Sequence, residues 1–172
     1  MNKELLGVDT ITNILDDFLD EFGATSRLGV EFGYLERKNL IEYAVAIEPV
    51  SDGAFMANFH RLAPEINCDT FLISFLHELG HHMTMPDLTE EDYWYCVDTV
   101  DVLEEEITTP GLPKERIMEI HQQYYDLPIE RMATDWAIEY IFDNVEKVAA
   151  LWNRLQPAIM EFYRLNEVEG AC

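Results

Sequence analysis

The sequence predicts a helix-rich α+β fold, and three observations carry that prediction. Apolar and polar residues alternate between about residue 28 and residue 62. Apolar residues recur at helical spacing before and after that stretch, and no linker or repeat interrupts the chain. With 172 residues and 48% hydrophobic composition, one domain spanning 1–172 has enough material for its own core.

The first segment places Ile11, Ile14, Leu15, Phe18, Leu19 and Phe22 at helical spacing, with Gly23 as the stop. Strand-like alternation follows. Leu28, Val30, Phe32 and Tyr34 share one face; after the polar turn Arg37-Lys38-Asn39, Tyr43, Val45 and Ile47 share another. Ser51-Asp52-Gly53 reads as a further turn. A third candidate strand at 54–62 alternates Phe55, Ala57 and Phe59 with Met56, Asn58 and His60. Together these predict a small, mostly antiparallel sheet.

Beyond Pro64 the pattern is helical. Residues 71–83 are apolar around the helix, and Thr89 before Glu90, Glu91 and Asp92 is a helix entry with acids where the dipole favours them. Thr108-Thr109-Pro110-Gly111 breaks the chain, and helices are predicted at 113–125, from 128 and from 145. In the last, Val145, Val148, Trp152, Leu155, Ile159 and Phe162 recur in steps of three and four, and Pro157 is expected to kink or divide it.

Charge narrows the function. Eleven Lys and Arg stand against 34 Asp and Glu, a net charge of −23. Such a surface repels phosphate backbones and anionic bilayers, so no direct nucleic-acid partner and no membrane partner is expected. No apolar run reaches the roughly 18 residues of a membrane span, and the acidic start lacks the basic-then-apolar order of a secretory signal. Cys68, Cys96 and Cys172 form no C-x-x-C pair or even-numbered framework. The expectation is a cytoplasmic protein with reduced thiols.

One motif carries chemistry: His77-Glu78-Leu79-Gly80-His81, an H-E-x-x-H within the apolar helical segment. Residues four apart share a helix face, so the two imidazoles can grip one metal ion. Glu78 then points beside that metal, where it can take a proton from water. Phe71, Leu72, Phe75, Leu76, Leu79 and Met83 bury this helix, and buried histidines need partners. The plain alternative is two ordinary histidines that happen to lie four apart.

A hydrolytic zinc site takes a third protein ligand. Glu130 is the leading candidate, with Ala133 and Ala137 near its face to let the two helices approach closely. A Glu just after Pro128 also suits a helix's first turn without any metal. Among the rivals, His121 can turn either way, and Glu104-Glu105-Glu106 reads as a solvated acidic face. His82 points about 100° from His81, and Asp135 about 140° from Glu130.

These residues resemble the zincin metallopeptidases, and most of all the ImmA/IrrE-type gluzincins of bacteria, phages and mobile elements. The likeness lies in His77-Glu78-Leu79-Gly80-His81-His82 and in Glu130-x-x-Ala133-x-x-Trp136-Ala137, similar to that family's E-x-x-A-x-x-F-A helix. It implies a zincin-like domain whose sheet packs on the H-E-x-x-H helix, Zn2+ held by His77, His81 and Glu130, and Glu78 as the catalytic carboxylate. Two features depart from the family. Thr134 stands where Asn or Asp often orients a ligand histidine, a task a hydroxyl does less firmly. The interval from His81 to Glu130 is 49 positions (130 minus 81), which is long for the class, so 87–126 reads as an acidic helical insertion beside the cleft.

In zincins a sheet edge near the His helix holds the substrate as an added strand, which makes Asn58 and His60 contact candidates. A peptidase also needs a group that stabilises the tetrahedral intermediate, and His121, Tyr124 and Tyr125 are unranked candidates. The expected function is a zinc metallopeptidase cleaving a protein or peptide. Two alternatives stand beside it: a zinc-containing regulatory or binding module with little turnover, and an acidic decoy or adaptor that binds a basic partner. Oligomeric state is not legible in the sequence.

Overall fold

Helix α1 (Val8–Leu19) turns Ile11, Leu15, Phe18 and Leu19 inward, the face that their spacing dictates. The computed structural model describes the backbone of residues 6–24, 28–35, 40–47, 61–63 and 68–166, and the side chains of 6–24 and 71–166. A 3-10 turn at Asp20–Phe22 closes α1 at Gly23, whose φ of 63° is the left-handed geometry glycine adopts without strain.

Helix α2 (Cys68–Thr84) carries the H-E-x-x-H motif. Helix α3 (Glu90–Ile107) starts where Thr89 Oγ1 accepts the Asp92 N–H at 3.1 Å, a side-chain cap at the predicted entry. Helices α4 (Lys114–Tyr125), α5 (Pro128–Asp143) and α6 (Val145–Leu165) complete the body. Pro157 does not divide α6, which runs through it. Proline removes the N–H that would serve the Asn153 carbonyl, and both residues are exposed, so water can take that place.

The main core is made by Ile11, Leu15, Phe18 and Leu19 of α1, five residues of α2 from Phe71 to Leu79, Ala137 of α5, and Leu151, Leu155, Ile159, Phe162 and Tyr163 of α6. A second cluster joins Cys96 of α3 to Leu127 and Ile129 at the start of α5, with Met85, Leu88, Val100 and Tyr124 packed around it. This second cluster seats the 87–126 segment, folded as α3 and α4, on helix α5. Arg116 ties the pair together, with Nε and Nη2 each 2.6 Å from a carboxylate oxygen of Glu106.

The α+β expectation is corrected here. Of the residues whose side chains are described, 86% are helical and none lies in a strand, so the body that holds the core and the candidate site is all-α. The physical reason is that the described core is drawn from helices apart from Ala24, with α2 seated chiefly on α5, while the strands meet α2 from outside that cluster. The alternating segments do form backbone strands: β1 (Leu28–Leu35), β2 (Leu40–Ile47) and β3 (Arg61–Ala63), antiparallel in that order. Of the candidate strand at 54–62, residues 54–60 lie outside the described residues. Among the described residues no helix is long and apolar enough to cross a membrane.

One contact sets the geometry of the candidate site. Helix α2 packs chiefly on α5 among the helices, and a Cβ added to Gly80 would lie 2.4 Å from the Ala133 carbonyl oxygen. The obstacle is backbone, so it cannot swing aside. Gly80→Ala therefore sets about 1 kcal/mol of helix propensity against overpacking of about 1–3 kcal/mol. The expected net result is destabilisation, seen as a lower urea midpoint by circular dichroism. A raised midpoint would show that the two helices have room to spare.

Candidate metal centre

Because α2 and α5 cross at Gly80 and Ala133, the residues that flank this crossing on each helix face one another. His77 and His81 come from α2, Glu130 and Thr134 from α5. One ligand atom from each of His77, His81 and Glu130 lies within 4.8 Å of the others. His77 Nε2 is 3.1 Å from Glu130 Oε2, and His81 Nε2 is 3.5 Å from Glu130 Oε1. Each carboxylate oxygen thus faces one imidazole. The two rings stand nearly edge to face, with centroids 4.7 Å apart and planes at 83°.

Protonation decides what this arrangement can hold. Burial is the largest influence on His81 and pushes its pKa down to about 4, against the lesser upward pull of Glu130. The ring is therefore neutral at pH 7, and neither of its buried nitrogens has a hydrogen-bond partner. A neutral imidazole nitrogen and a carboxylate oxygen both offering lone pairs at this range need a proton or a cation between them. Thr134 Oγ1 lies 3.1 Å from His77 Nδ1. With the proton on Nδ1, that nitrogen donates to the Thr134 hydroxyl and the Nε2 lone pair can coordinate.

Glu78 lies beside this trio, 2% exposed, and its Oε2 has no hydrogen-bond partner. Burial, reinforced by the negative charge of Glu130, raises its pKa to about 9. The site is closed on the Glu78 and His81 side. It is open on the other, where Thr134 is exposed and the His77 side chain retains 18% of its accessibility.

The α3–α4 segment also supports the Glu130 carboxylate. Tyr124, in the last turn of α4, donates a hydrogen bond to Glu130; burial first, and the Glu130 charge next, hold its phenol protonated well above the usual range. Helix α5 has Leu127 at its N-cap and Pro128 after it, and no side chain of its own caps it. The buried Cys96 sulfur of α3 takes the Ile129 N–H instead, although burial pushes the thiol pKa up.

The sequence-based candidates divide clearly. His77, Glu78, His81, Glu130, Thr134 and Tyr124 come together. His121, Tyr125 and Asp135 are exposed, and none of them belongs to the ligand group. His82 likewise stands outside that group, and Glu106 of the acidic run is engaged with Arg116. Asn58 and His60 lie outside the described residues. Sequence reasoning missed Cys96 as a cap; the uncapped Leu127-Pro128 start was the signal that an outside acceptor was needed. Comparison with family models, with curated proteins and with solved structures finds no match to this chain.

The buried carboxyl gives a pH prediction for metal-free protein. A group whose pKa rises from 4.5 unfolded to about 9 folded binds its proton more tightly in the native state. Its stabilising contribution is full below the unfolded value and is lost as pH rises through the folded one. Relative to Glu78→Gln, the wild type should lose stability steadily from about pH 5 to about pH 9 and then level off. Parallel stability curves for the two proteins in thermal melts would contradict the burial of Glu78.

Proposed function

We propose that the chain is a zinc-dependent metallopeptidase that hydrolyses a bond in a protein or peptide. The observation that carries this reading is the pair of unpartnered His81 nitrogens, buried among His77, Glu130 and an equally buried Glu78. Two imidazoles and a carboxylate converging at this range fit a divalent metal, and two histidines with one carboxylate are a hydrolytic zinc donor set. Bound there, zinc supplies Lewis-acid chemistry, lowering the pKa of water from 15.7 to about 7 and polarising a carbonyl oxygen.

The chain's own groups do the rest. His77, His81 and Glu130 would hold the ion, Thr134 sets the His77 tautomer, and Tyr124 fixes Glu130. Glu78 is the general base: it takes a proton from the attacking water and returns it to the leaving amine. In the metal-free site burial keeps the proton on Glu78, and the charge of a bound divalent cation would lower that pKa and free the carboxylate to act as base. The acidic surface disfavours nucleic acid as a direct partner. The unpaired cysteine pattern supports action in the cytoplasm.

The test compares wild type with Glu78→Gln on a quenched-fluorescence peptide library, with zinc content measured in parallel. The variant should keep its zinc and lose cleavage by about 100- to 10,000-fold, the usual worth of a general base. Equal cleavage by both proteins would overturn the assignment of Glu78. A fully zinc-loaded wild type that cleaves nothing in the library would replace the peptidase by a zinc-containing binding module.

A further inference from the structure

Helix α3 presents an outward stripe that no other helix covers among the described residues. On the face opposite Cys96 and Leu103, the helical repeat aligns Glu91, Trp94, Tyr95, Asp98, Val102 and Glu105, with Asp101 at the margin. Trp94, Tyr95 and Val102 are 53%, 57% and 62% exposed. Single exposed apolar residues are ordinary, but three on one stripe among carboxylates are a surface of defined chemistry.

The charges make the stripe costly. Helix α3 contains no Lys or Arg, and Asp98, Asp101 and Glu105 stand three or four positions apart, where like charges repel. Its last turn carries Glu104, Glu105 and Glu106 at the negative end of the helix dipole. Arg116 neutralises Glu106 alone among these three. Among the described residues, Glu91, Asp98, Asp101 and Glu105 take part in no ion pair; Lys147, Arg154 and Arg164 are engaged on other helices. An arrangement that costs intramolecular stability is repaid when an outside cation covers it.

We propose that the outward stripe of α3 docks a basic amphipathic helix of a partner protein. Its apolar residues would cover Trp94, Tyr95 and Val102, and its Lys and Arg would flank Asp98, Asp101 and Glu105. The stripe from Glu91 to Glu105 is about 21 Å long, enough for four turns of such a helix. An Arg over the Trp94 face adds a cation–π contact. Helix-on-helix docking of this kind is read from anchors at three- and four-residue spacing, which is the spacing here. The surface is separate from the candidate metal centre, so this inference goes beyond the peptidase reading and stands or falls without it.

The probe is a fluorescein-labelled 18-residue peptide of Lys and Leu at helical spacing, titrated with the full chain and read by anisotropy. Binding at one equivalent is expected, weakening as salt is raised because exposed charges are screened. Trp94→Ala/Tyr95→Ala should weaken it by about tenfold or more, as loss of aromatic anchors does. Asp98→Asn/Asp101→Asn should do likewise. The control Glu139→Gln/Asp143→Asn removes the same charge from exposed positions of α5 and should change affinity less than about twofold. Equal losses in the two charge-neutralised proteins would mean diffuse attraction to the −23 surface and overturn the proposal. So would full binding by the Trp94 and Tyr95 double variant.

Discussion

The contact between Gly80 and the Ala133 backbone is the constraint on which the rest depends. At this crossing no side chain separates helix α2 from helix α5, and a methyl group would already collide with the Ala133 carbonyl. The crossing falls between His77 and His81 on one helix and between Glu130 and Thr134 on the other. Both imidazoles and the carboxylate are therefore brought within 4.8 Å of one another by backbone packing, with no long flexible side chain needed to reach. Glycine is a poor helix residue, costing about 1 kcal/mol relative to alanine, so its presence inside α2 follows from the approach it permits.

That approach buries charge, and burial sets the chemistry. Glu78 and His81 are each 2% exposed, and desolvation moves their pKa values in opposite directions, up for the acid and down for the base. Unpartnered buried polar atoms cost about 1–3 kcal/mol each, so the fold carries this site at the expense of its own stability. The main core supplies the rigid frame that bears the cost, and α3 and α4 brace the other side through Cys96, Leu127, Ile129 and Tyr124. The segment 87–126 is thus part of the site's scaffold as well as its neighbour.

Much of this was legible in the sequence because helical periodicity reports faces directly. The spacing of Ile11, Leu15 and Phe18, the Thr89 entry and the four-residue interval of the histidines all translate into the observed helices. Glu130 was legible through the small residues Ala133 and Ala137 on its face. Gly80 was less so, since a glycine inside a motif does not announce what approaches it. The balance of α and β was misjudged for a related reason. Alternation between 28 and 47 marks strands, but it cannot show that the described core around α2 is drawn almost wholly from helices. At Pro157 the division of α6 does not occur, because an exposed proline can be absorbed when water serves the abandoned carbonyl.

The most direct test of the metal centre is the zinc dissociation constant and stoichiometry of the untagged protein, measured beside Glu130→Gln and His81→Asn. One equivalent is expected in the wild type, with an affinity lowered by about 100-fold or more in either variant, since each would remove one of the three proposed ligands. Stoichiometric zinc held equally well by all three proteins would contradict that assignment. So would a wild type that takes up no zinc, because the convergence of α2 and α5 would then have been built for something other than a metal.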